Sequence, residues 1–517
     1  MSGRYGRLTK EWMLRGWKDL PRTLVNWANG DQRELSKMAF YVAQSCDGQT
    51  DFNSFCFLPQ HRAALDVMIS EGMAQACSKG CAIEPWQRYR KAANPRLAGI
   101  HWCITGRCNL NCRHCHVEAP QGRYGELPFA DLVALVEQFQ RANVTGVSLT
   151  GGEPFLRKDI LEIIALLADK RIYVGRIFSN GLLITRRHLD EIRRIGFGPA
   201  FQISFDGVGA HDRMRGATGT EPGVIAAIRR LREGGFPVTV ATCIDRLSIA
   251  TLADTYRLMK KLDIQAWNIS TPQETGNWRG TKTAASLETQ AAAFRPLLEA
   301  WIKDGRPFLM KLGGFYGGGD RLSLETRLSR EAARQILGPG RDREFSSSVA
   351  GVAQNAPTQR APAFTPDSYD CSSCREQCIL LPDGTLVTCP GYVDTVVQDR
   401  MPNLLREELS EVWTDSFLRQ IADFRKKDVL AQNPQCAGCG LFFTDCGGGC
   451  RASALSQTGN LMSSDPITCD LFRQGYKKQF SDLAASLLPQ GYKKPRGQQT
   501  KRAASNHLFK GSYNESI

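Results

Sequence analysis

The sequence lacks long apolar runs, and this excludes several classes of protein. No stretch of about 18 apolar residues, the length of a membrane-spanning helix, occurs in its 517 residues. The most apolar stretch, Ile160 to Ala168, is short and is interrupted by Glu162. The first residues, MSGRYGRLTKEW, lack the apolar segment of a secretory signal. We therefore expect a cytoplasmic protein without a membrane partner.

Acidic residues are scarcer than basic ones, at 52 against 66, and the net charge is +14. A basic surface attracts anionic partners such as nucleic acid or an acidic peptide. Part of the excess lies after residue 490, in a polar segment that is typical of a solvated tail. Charge alone therefore identifies no partner. The hydrophobic fraction of 42% is that of an ordinary globular protein and excludes wholesale disorder.

Cysteine, in contrast, is abundant, with 18 residues in the chain. Without an export signal, this number favours metal or redox chemistry over disulfides. Most of the cysteines form three groups: Cys108, Cys112 and Cys115; Cys371, Cys374, Cys378 and Cys389; and Cys436, Cys439, Cys446, Cys450 and Cys469. The others are scattered, and we expect them to be inert buried thiols: Cys46, Cys56, Cys77, Cys81, Cys103 and Cys243.

The segment from Leu127 to about residue 310 alternates between helical and strand-like patterns, such as VTGVSLT and IYVGRIFS. With HWCIT before the first helix, at least six strands are predicted. Strands that alternate with helices of about 10 to 15 residues form βαβ units and a parallel sheet. Ligands bind at the carboxyl ends of such strands, where the next two motifs occur.

The first motif, CNLNCRHC, places Cys108, Cys112 and Cys115 in a loop directly after a strand. Three thiolates can bind three irons of a [4Fe–4S] cluster and leave the fourth iron open to a chelating ligand. The alternative is a structural zinc site, with His114 or His116 as the fourth ligand. The position of the loop, at the start of a parallel sheet, favours the cluster.

The second motif, TGGEP, ends the next strand. Gly151 and Gly152 let the backbone approach a ligand closely, and Glu153 can accept hydrogen bonds from an ammonium group. Taken alone, this motif could be an ordinary strand-to-helix turn. Its position one βα unit after the cysteine loop favours a ligand site.

The two motifs resemble those of radical S-adenosylmethionine (SAM) enzymes, over roughly residues 98 to 310. The resemblance implies a partial (β/α)6 barrel in which the catalytic Cys108, Cys112 and Cys115 bind a [4Fe–4S] cluster whose open iron is chelated by SAM. For Ser179, Asn180, Ser204 and Asp206, capping or turn formation is the alternative role. The residues implied to bind SAM are Gly151, Gly152, Glu153, Pro154, Ser179, Asn180, Ser204, Asp206 and Arg215.

The third group, CAGCGLFFTDCGGGC followed by Cys469, could form zinc ribbons with the second group. Attached to a radical SAM core, the pattern resembles the SPASM extension, which binds two auxiliary [4Fe–4S] clusters. The family usually has five residues, not six, between the positions of Cys439 and Cys446. The resemblance implies one cluster on Cys436, Cys439, Cys446 and Cys469, and another on Cys389 and Cys450 with two of Cys371, Cys374 and Cys378.

The amino-terminal block contains a helix, a turn at Asp47-Gly48 and a second helix. It resembles the PqqD-like peptide-recognition element, a winged-helix module that binds a leader peptide as an added strand at a sheet edge. A helical cap on the barrel and a DNA-binding winged helix are the alternatives. The β-hairpin that the element requires, at residues 20 to 35, is poorly marked in the sequence.

The resulting hypothesis is a peptide-recognition module (1–85), a radical SAM core (95–310), a linker (311–367), a SPASM domain (368–475) and a basic flexible tail (476–517). The resemblance implies a 5′-deoxyadenosyl radical that abstracts hydrogen from a ribosomally made precursor peptide and leads to a thioether or carbon–carbon crosslink. An electron donor such as ferredoxin or flavodoxin is expected, and a nucleic-acid partner is not. The alternatives are a sulfatase-maturase-like enzyme, a haem- or tetrapyrrole-modifying enzyme, and a zinc-ribbon nucleic-acid-binding protein. No catalytic acid or base stands out.

Overall fold

Residues 3–91 form a module with two small sheets and a hydrophobic core of its own. The structure, a computed structural model, describes residues 3–119, 122–281, 283–317 and 364–486. The elements of the module are β1 (Tyr5–Leu8), β2 (Trp12–Gly16), β3 (Thr23–Asn26), β4 (Gln32–Glu34), α1 (Lys37–Ser45), α2 (Pro59–Ser70), β5 (Ala74–Cys77) and β6 (Arg90–Lys91). Strands β3 and β4 are antiparallel neighbours. The hairpin that the sequence marks so poorly is therefore present.

The central sheet contains seven parallel strands that are consecutive in the chain and adjacent in space. The strands are β7 (Gly99–Cys103), β8 (Gly146–Thr150), β9 (Tyr173–Ser179), β10 (Ala200–Ser204), β11 (Val238–Cys243), β12 (Ala266–Ser270) and β13 (Leu309–Leu312). The helices between and around them are α3 (Phe129–Arg141), α4 (Ile160–Asp169), α5 (Arg186–Ile195), α6 (His211–Arg215), α7 (Glu221–Glu233), α8 (Leu252–Lys261) and α9 (Leu287–Lys303). This is the α/β fold that the sequence predicts, and β13 extends the expected set of strands.

The cysteine-rich region is attached to one edge of this sheet. Strand β14 (Gln377–Leu380) pairs in parallel with β7, and β15 (Leu386–Val387) pairs antiparallel with β14. The later helices are α10 (Ser372–Glu376), α11 (Leu409–Val412), α12 (Phe417–Ala422), α13 (Lys426–Gln432), α14 (Pro434–Ala437), α15 (Arg451–Thr458), α16 (Pro466–Arg473) and α17 (Tyr476–Ser486). None of the helices in the described ranges has the length and apolar character of a membrane span.

Two elements of the structure fall within segments that the sequence predicts as linker and tail. The segment predicted as a flexible tail begins with α17, because Phe480 and Ala484 give this helix an apolar face that is buried. Phe480 packs edge-on against Phe315, with 5.3 Å between the ring centroids. The segment predicted as a linker begins inside β13. Residues 318–363 of that linker and 487–517 of that tail lie outside the described residues.

Candidate active site

The cysteine loop follows β7, and each of its three sulfur atoms receives a hydrogen bond. Cys108 Sγ accepts from the Leu110 amide at 3.4 Å, and Cys115 Sγ accepts from the Ala119 amide at 3.4 Å. Cys112 Sγ accepts from Arg215 Nη1 at 3.5 Å. Such donors stabilise sulfur in its anionic, metal-bound form.

The burial of these thiols also fits an iron–sulfur cluster. Cys112 is buried, and burial raises the pKa of Cys108 to about 12. A thiol with that pKa is protonated at neutral pH unless a metal stabilises the thiolate. Iron supplies that stabilisation, and the three sulfurs with their donors therefore suit a cluster with one open iron.

Contacts from three other strand ends hold the cysteine loop in place. After β9, Asn180 Nδ2 donates to Asn109 Oδ1 at 2.8 Å. After β12, Asn277 Nδ2 donates to the Cys112 carbonyl and its amide to the Cys115 carbonyl, both at 3.0 Å. From helix α6, after β10, the Met214 carbonyl accepts from the Arg113 amide at 2.9 Å. The loop is thus fixed before any ligand arrives.

The two glycines of TGGEP lie against the backbone that enters the cysteine loop. A Cβ at Gly151 would collide with the Thr105 carbonyl oxygen, and a Cβ at Gly152 would collide with that of Arg107. The close approach lets the Gly152 amide donate to the Thr105 carbonyl at 2.8 Å. The two sequence motifs are therefore in direct contact, and glycine is required because no side chain fits between them.

Glu153 joins the ends of β8 and β9. Its carboxylate is completely buried and accepts from the Ser179 hydroxyl at 2.9 Å and the Asn180 amide at 2.8 Å. It also accepts from the Phe155 amide at 3.1 Å, at the turn that Pro154 begins. Burial raises the pKa of Glu153 to about 7, although these hydrogen bonds oppose the shift. Glu153 thus positions two of the predicted SAM-binding residues.

Asp206, at the end of β10, anchors a buried ionic network. Its Oδ2 lies 2.7 Å from Arg215 Nε and 3.4 Å from His114 Nε2, and its Oδ1 accepts from the Cys243 amide at 3.0 Å. Burial alone would raise the pKa of Asp206, but the charges of Arg215 and His114 outweigh it and lower the pKa. The Arg215 guanidinium therefore lies between Asp206 and the Cys112 sulfur. Half-buried Ser204 ends the same strand.

The third cysteine group gathers around a π-helical turn, Phe442–Cys446. Burial raises the pKa of Cys436 and of Cys446, and the nearby thiol of Cys469 adds to both shifts. The thiol of Cys439 also adds to the rise in the pKa of Cys436. In the turn, the Cys446 amide donates to the carbonyl of Leu441, five residues earlier, at 2.8 Å. A π turn holds one residue more than an α turn. It can therefore absorb the additional residue between Cys439 and Cys446 that sets this sequence apart from the family pattern.

In the second cysteine group, the structure separates one of the three upstream cysteines from the other two, a choice that the spacing left open. Burial raises the pKa of Tyr392, and the thiols of four neighbouring cysteines add to this shift: Cys389, Cys374, Cys450 and Cys371. Cys378 lies instead in β14, opposite Ile100 of β7, with its side chain in the hydrophobic core. Only burial raises the pKa of Cys378. The structure thus brings Cys371 and Cys374, but not Cys378, together with Cys389 and Cys450.

The thiols of each group are neighbours without meeting at one point. Within the four described ranges, no three His, Cys, Asp or Glu side chains converge on a single metal-ion position. Sequence reasoning missed Asn109, although it lies inside the cysteine motif. Its partner Asn180 is distant in the sequence, so only the sheet order reveals the contact.

Comparison with known proteins defines the class. Residues 102–259 match the radical SAM superfamily, and residues 371–440 match the SPASM iron–sulfur cluster-binding domain. The chain therefore contains a radical SAM domain and a SPASM domain, and it is an enzyme. Its cofactors are SAM, the [4Fe–4S] cluster of the radical SAM domain, and the auxiliary iron–sulfur clusters of the SPASM domain.

Two relatives have different named activities. The chain is 26% identical over 387 residues to an AdoMet-dependent heme synthase of Nitratidesulfovibrio vulgaris, covering 72% of this chain and 92% of the relative. It is 24% identical over 381 residues to a PqqA peptide cyclase of Gluconobacter oxydans, covering 71% and 89%. The fold is similar to that of Streptococcus suis SuiB bound to S-adenosylmethionine, with a TM-score of 0.58 at 13% identity, over 90% of this chain and 100% of SuiB.

Proposed function

We propose that the protein is a radical SAM peptide maturase that installs a thioether or carbon–carbon crosslink in a ribosomally made precursor peptide. The observation that carries this proposal is the module of residues 3–91, whose four-stranded sheet ends at β4. Among the described residues, no strand pairs with the outer edge of β4. An extended leader peptide can add there as a further strand.

The backbone geometry of β4 identifies the groups that a leader peptide would use. The Asn26 amide donates to the Asp31 carbonyl, and the Leu35 amide donates to the Arg22 carbonyl. Since hydrogen-bonded pairs alternate along an antiparallel ladder, Arg33 faces β3, whereas the backbone groups of Gln32 and Glu34 point outward. Glu34 is exposed, and its amide is therefore a donor for an incoming strand.

Comparison with solved structures supports a peptide substrate. SuiB was also solved bound to its precursor peptide SuiA, and that structure has a TM-score of 0.57 with this chain and covers 90% of it. The anSMEcpe structure bound to a peptide covers 76%. The SuiB fold thus superimposes on more of this chain than the anSMEcpe fold does.

In this proposal the residues of the site have distinct roles in binding the cluster and SAM. When bound, the cluster and SAM would together supply a carbon-centred radical able to abstract hydrogen. Cys108, Cys112 and Cys115 would hold the cluster, and Arg215 would place a positive charge beside it. Glu153 would keep the carboxyl ends of β8 and β9 in the arrangement that receives SAM. A ferredoxin or flavodoxin would deliver the electron, and the barrel would exclude water from the reacting carbon.

Tetrapyrrole modification is the second candidate, because the chain matches 92% of the length of a heme synthase. Anaerobic co-expression with short peptides encoded beside the gene separates the two. Peptide maturation predicts a loss of two hydrogens per crosslink by intact-mass spectrometry, absent with Cys112→Ala. If no peptide changes mass, and iron coproporphyrin III is converted instead, the peptide proposal is wrong.

The strand edge gives a second test with a matched pair of variants. Glu34→Pro removes the outward amide without breaking the ladder to β3, whereas Glu34→Ala keeps that amide. We expect Glu34→Pro to weaken leader-peptide binding by about tenfold, which is the value of roughly one hydrogen bond. Equal affinities for Glu34→Pro and Glu34→Ala, measured by fluorescence anisotropy, would exclude this edge.

A further inference from the structure

The strands of the central sheet have an inner face, defined here by the half-buried residues that alternate with helix-facing ones. In β12 and β13 the helix-facing residues include Trp267, Ile269, Met310 and Leu312, all in the main hydrophobic core. Asn268 and Lys311 alternate with them and are only partly buried. Asn268 and Lys311 therefore lie on the inner face of the sheet, opposite to the side chains that face the surrounding helices.

The charge on these strands is of one sign. Strands β7 to β13 contain no Asp or Glu, but they contain His101, Arg176 and Lys311. Burial lowers the pKa of His101 to about 3, so its ring is neutral at pH 7. The full positive charges on the strands are therefore those of Arg176 and Lys311.

The acidic groups at the strand ends are already engaged. Glu153 accepts three hydrogen bonds, and Asp206 pairs with Arg215. Asp245, after β11, receives two hydrogen bonds from Arg213, at 2.7 and 2.9 Å. Asp206 and Asp245 thus neutralise arginines and not Lys311, whereas Glu153 is bonded to uncharged donors.

Lys311 is the last residue but one of β13, close to the carboxyl end of the strand. The strand registers connect Ser204 to Ala241, Ala241 to Asn268, and Asn268 to Lys311. Lys311 thus shares a row with Ser204, one of the predicted SAM-binding residues. Among the described residues Lys311 forms no ion pair. Burial lowers its pKa, and the nearby charge of Lys477 lowers it further.

We propose that Lys311 binds a carboxylate of the substrate, specifically the side chain of an Asp or Glu residue of the precursor peptide. A partly buried ammonium group without an anion is costly, and a charge-assisted hydrogen bond to a carboxylate offsets that cost. Because the strands contain no Asp or Glu, no carboxylate on them competes with the substrate for Lys311. The choice of a peptide carboxylate rests on the function proposed above.

The test uses the full-length enzyme with its clusters and the precursor peptide that it modifies. Lys311→Met should raise KM for the peptide about 10- to 100-fold, and Lys311→Arg should raise it less, because a charged hydrogen bond contributes that much. Lys303, an exposed lysine at the end of α9, provides the control. Lys303→Met should leave KM unchanged.

The peptide side of the contact is tested by changing each acidic residue of the peptide to its amide. With the native enzyme, one of these amide-containing peptides should show the same increase in KM that Lys311→Met causes with the unchanged peptide. With Lys311→Met, the KM of that amide-containing peptide should rise no further. The inference is wrong if the KM increases caused by the enzyme change and the peptide change multiply, or if Lys311→Met leaves KM unchanged as Lys303→Met does. Either result leaves peptide maturation in place. If no peptide is modified and iron coproporphyrin III binds in a Lys311-dependent way, both the peptide carboxylate and the proposed function are overturned.

Discussion

The two halves of the barrel differ in how much of their interior is already occupied by protein contacts. At the ends of β8 to β10, Glu153 is hydrogen-bonded to the end of β9, and Asn180 and Asp206 contact the cysteine loop through Asn109 and His114. In β12 and β13, the side chains of Asn268 and Lys311 form no hydrogen bond or ion pair with the described residues. The first half is thus pre-organised, as a site for a constant cofactor requires, and the second is open, as a site for a larger substrate requires.

The largest effect should come from the centre of the pre-organised half. We expect Cys112→Ala to abolish formation of 5′-deoxyadenosine, because the cluster would lose the ligand beside Arg215. Chromatography of reactions containing dithionite and SAM measures this product. Cys446→Ala, in the third cysteine group, should retain some uncoupled SAM cleavage and form no crosslink. Continued 5′-deoxyadenosine formation by Cys112→Ala would refute the assignment of the catalytic cluster.

The buried ionic network predicts the next largest effect, on stability. Asp206→Asn leaves the buried Arg215 guanidinium without its counter-charge, and it should lower the free energy of unfolding by about 3 to 5 kcal/mol. Thermal denaturation measures the change. The exposed pair Asp254 and Arg257 is the control, and Asp254→Asn should cost less than about 0.5 kcal/mol. Similar losses for the two variants would show that the network contributes little.

Glu153 predicts a dependence of stability on pH. Its pKa is about 7 in the folded chain, against 4.5 as its ordinary value. A raised pKa means that the contribution is complete below pH 4.5 and is lost as the pH rises through 7. The free energy of unfolding should therefore fall by about 3 kcal/mol across that range. Glu153→Gln should remove this part of the slope, and an unchanged slope would contradict the assignment.

The smallest effect is expected for Cys378, because its loss should not change the iron content of the protein. Cys374→Ala should lower the iron bound per chain by about one cluster, because Cys374 lies among the thiols near Tyr392. Cys378→Ala should leave the iron content unchanged and cost about 1 to 2 kcal/mol of stability from a small cavity. Iron analysis after anaerobic reconstitution measures the difference. A loss of iron with Cys378→Ala would show that Cys378 is a cluster ligand.

The sequence predicted the fold class and both motifs of the site, because those motifs are local in the chain. It could not reveal the contacts of Glu153, since Ser179 and Asn180 come 26 and 27 residues later and meet it only through the sheet. The choice between Cys374 and Cys378 depends on the register of β14 against β7, which sends Cys378 into the core. Lys311 carried no motif, and only the alternation along β13 reveals where it faces.

The difference between the pre-organised half and the open half of the barrel has one direct test. It compares substitutions of two asparagines, one in each half, in reactions without peptide. Asn180 holds the cysteine loop, whereas Asn268 shares the inner row with Lys311. The measurement is 5′-deoxyadenosine formed from SAM and dithionite by Asn180→Ala and by Asn268→Ala, each reconstituted to equal iron content. We expect at least a tenfold loss of 5′-deoxyadenosine formation (~1.4 kcal/mol) for Asn180→Ala and no loss for Asn268→Ala. Equal losses in the two variants would contradict this expectation.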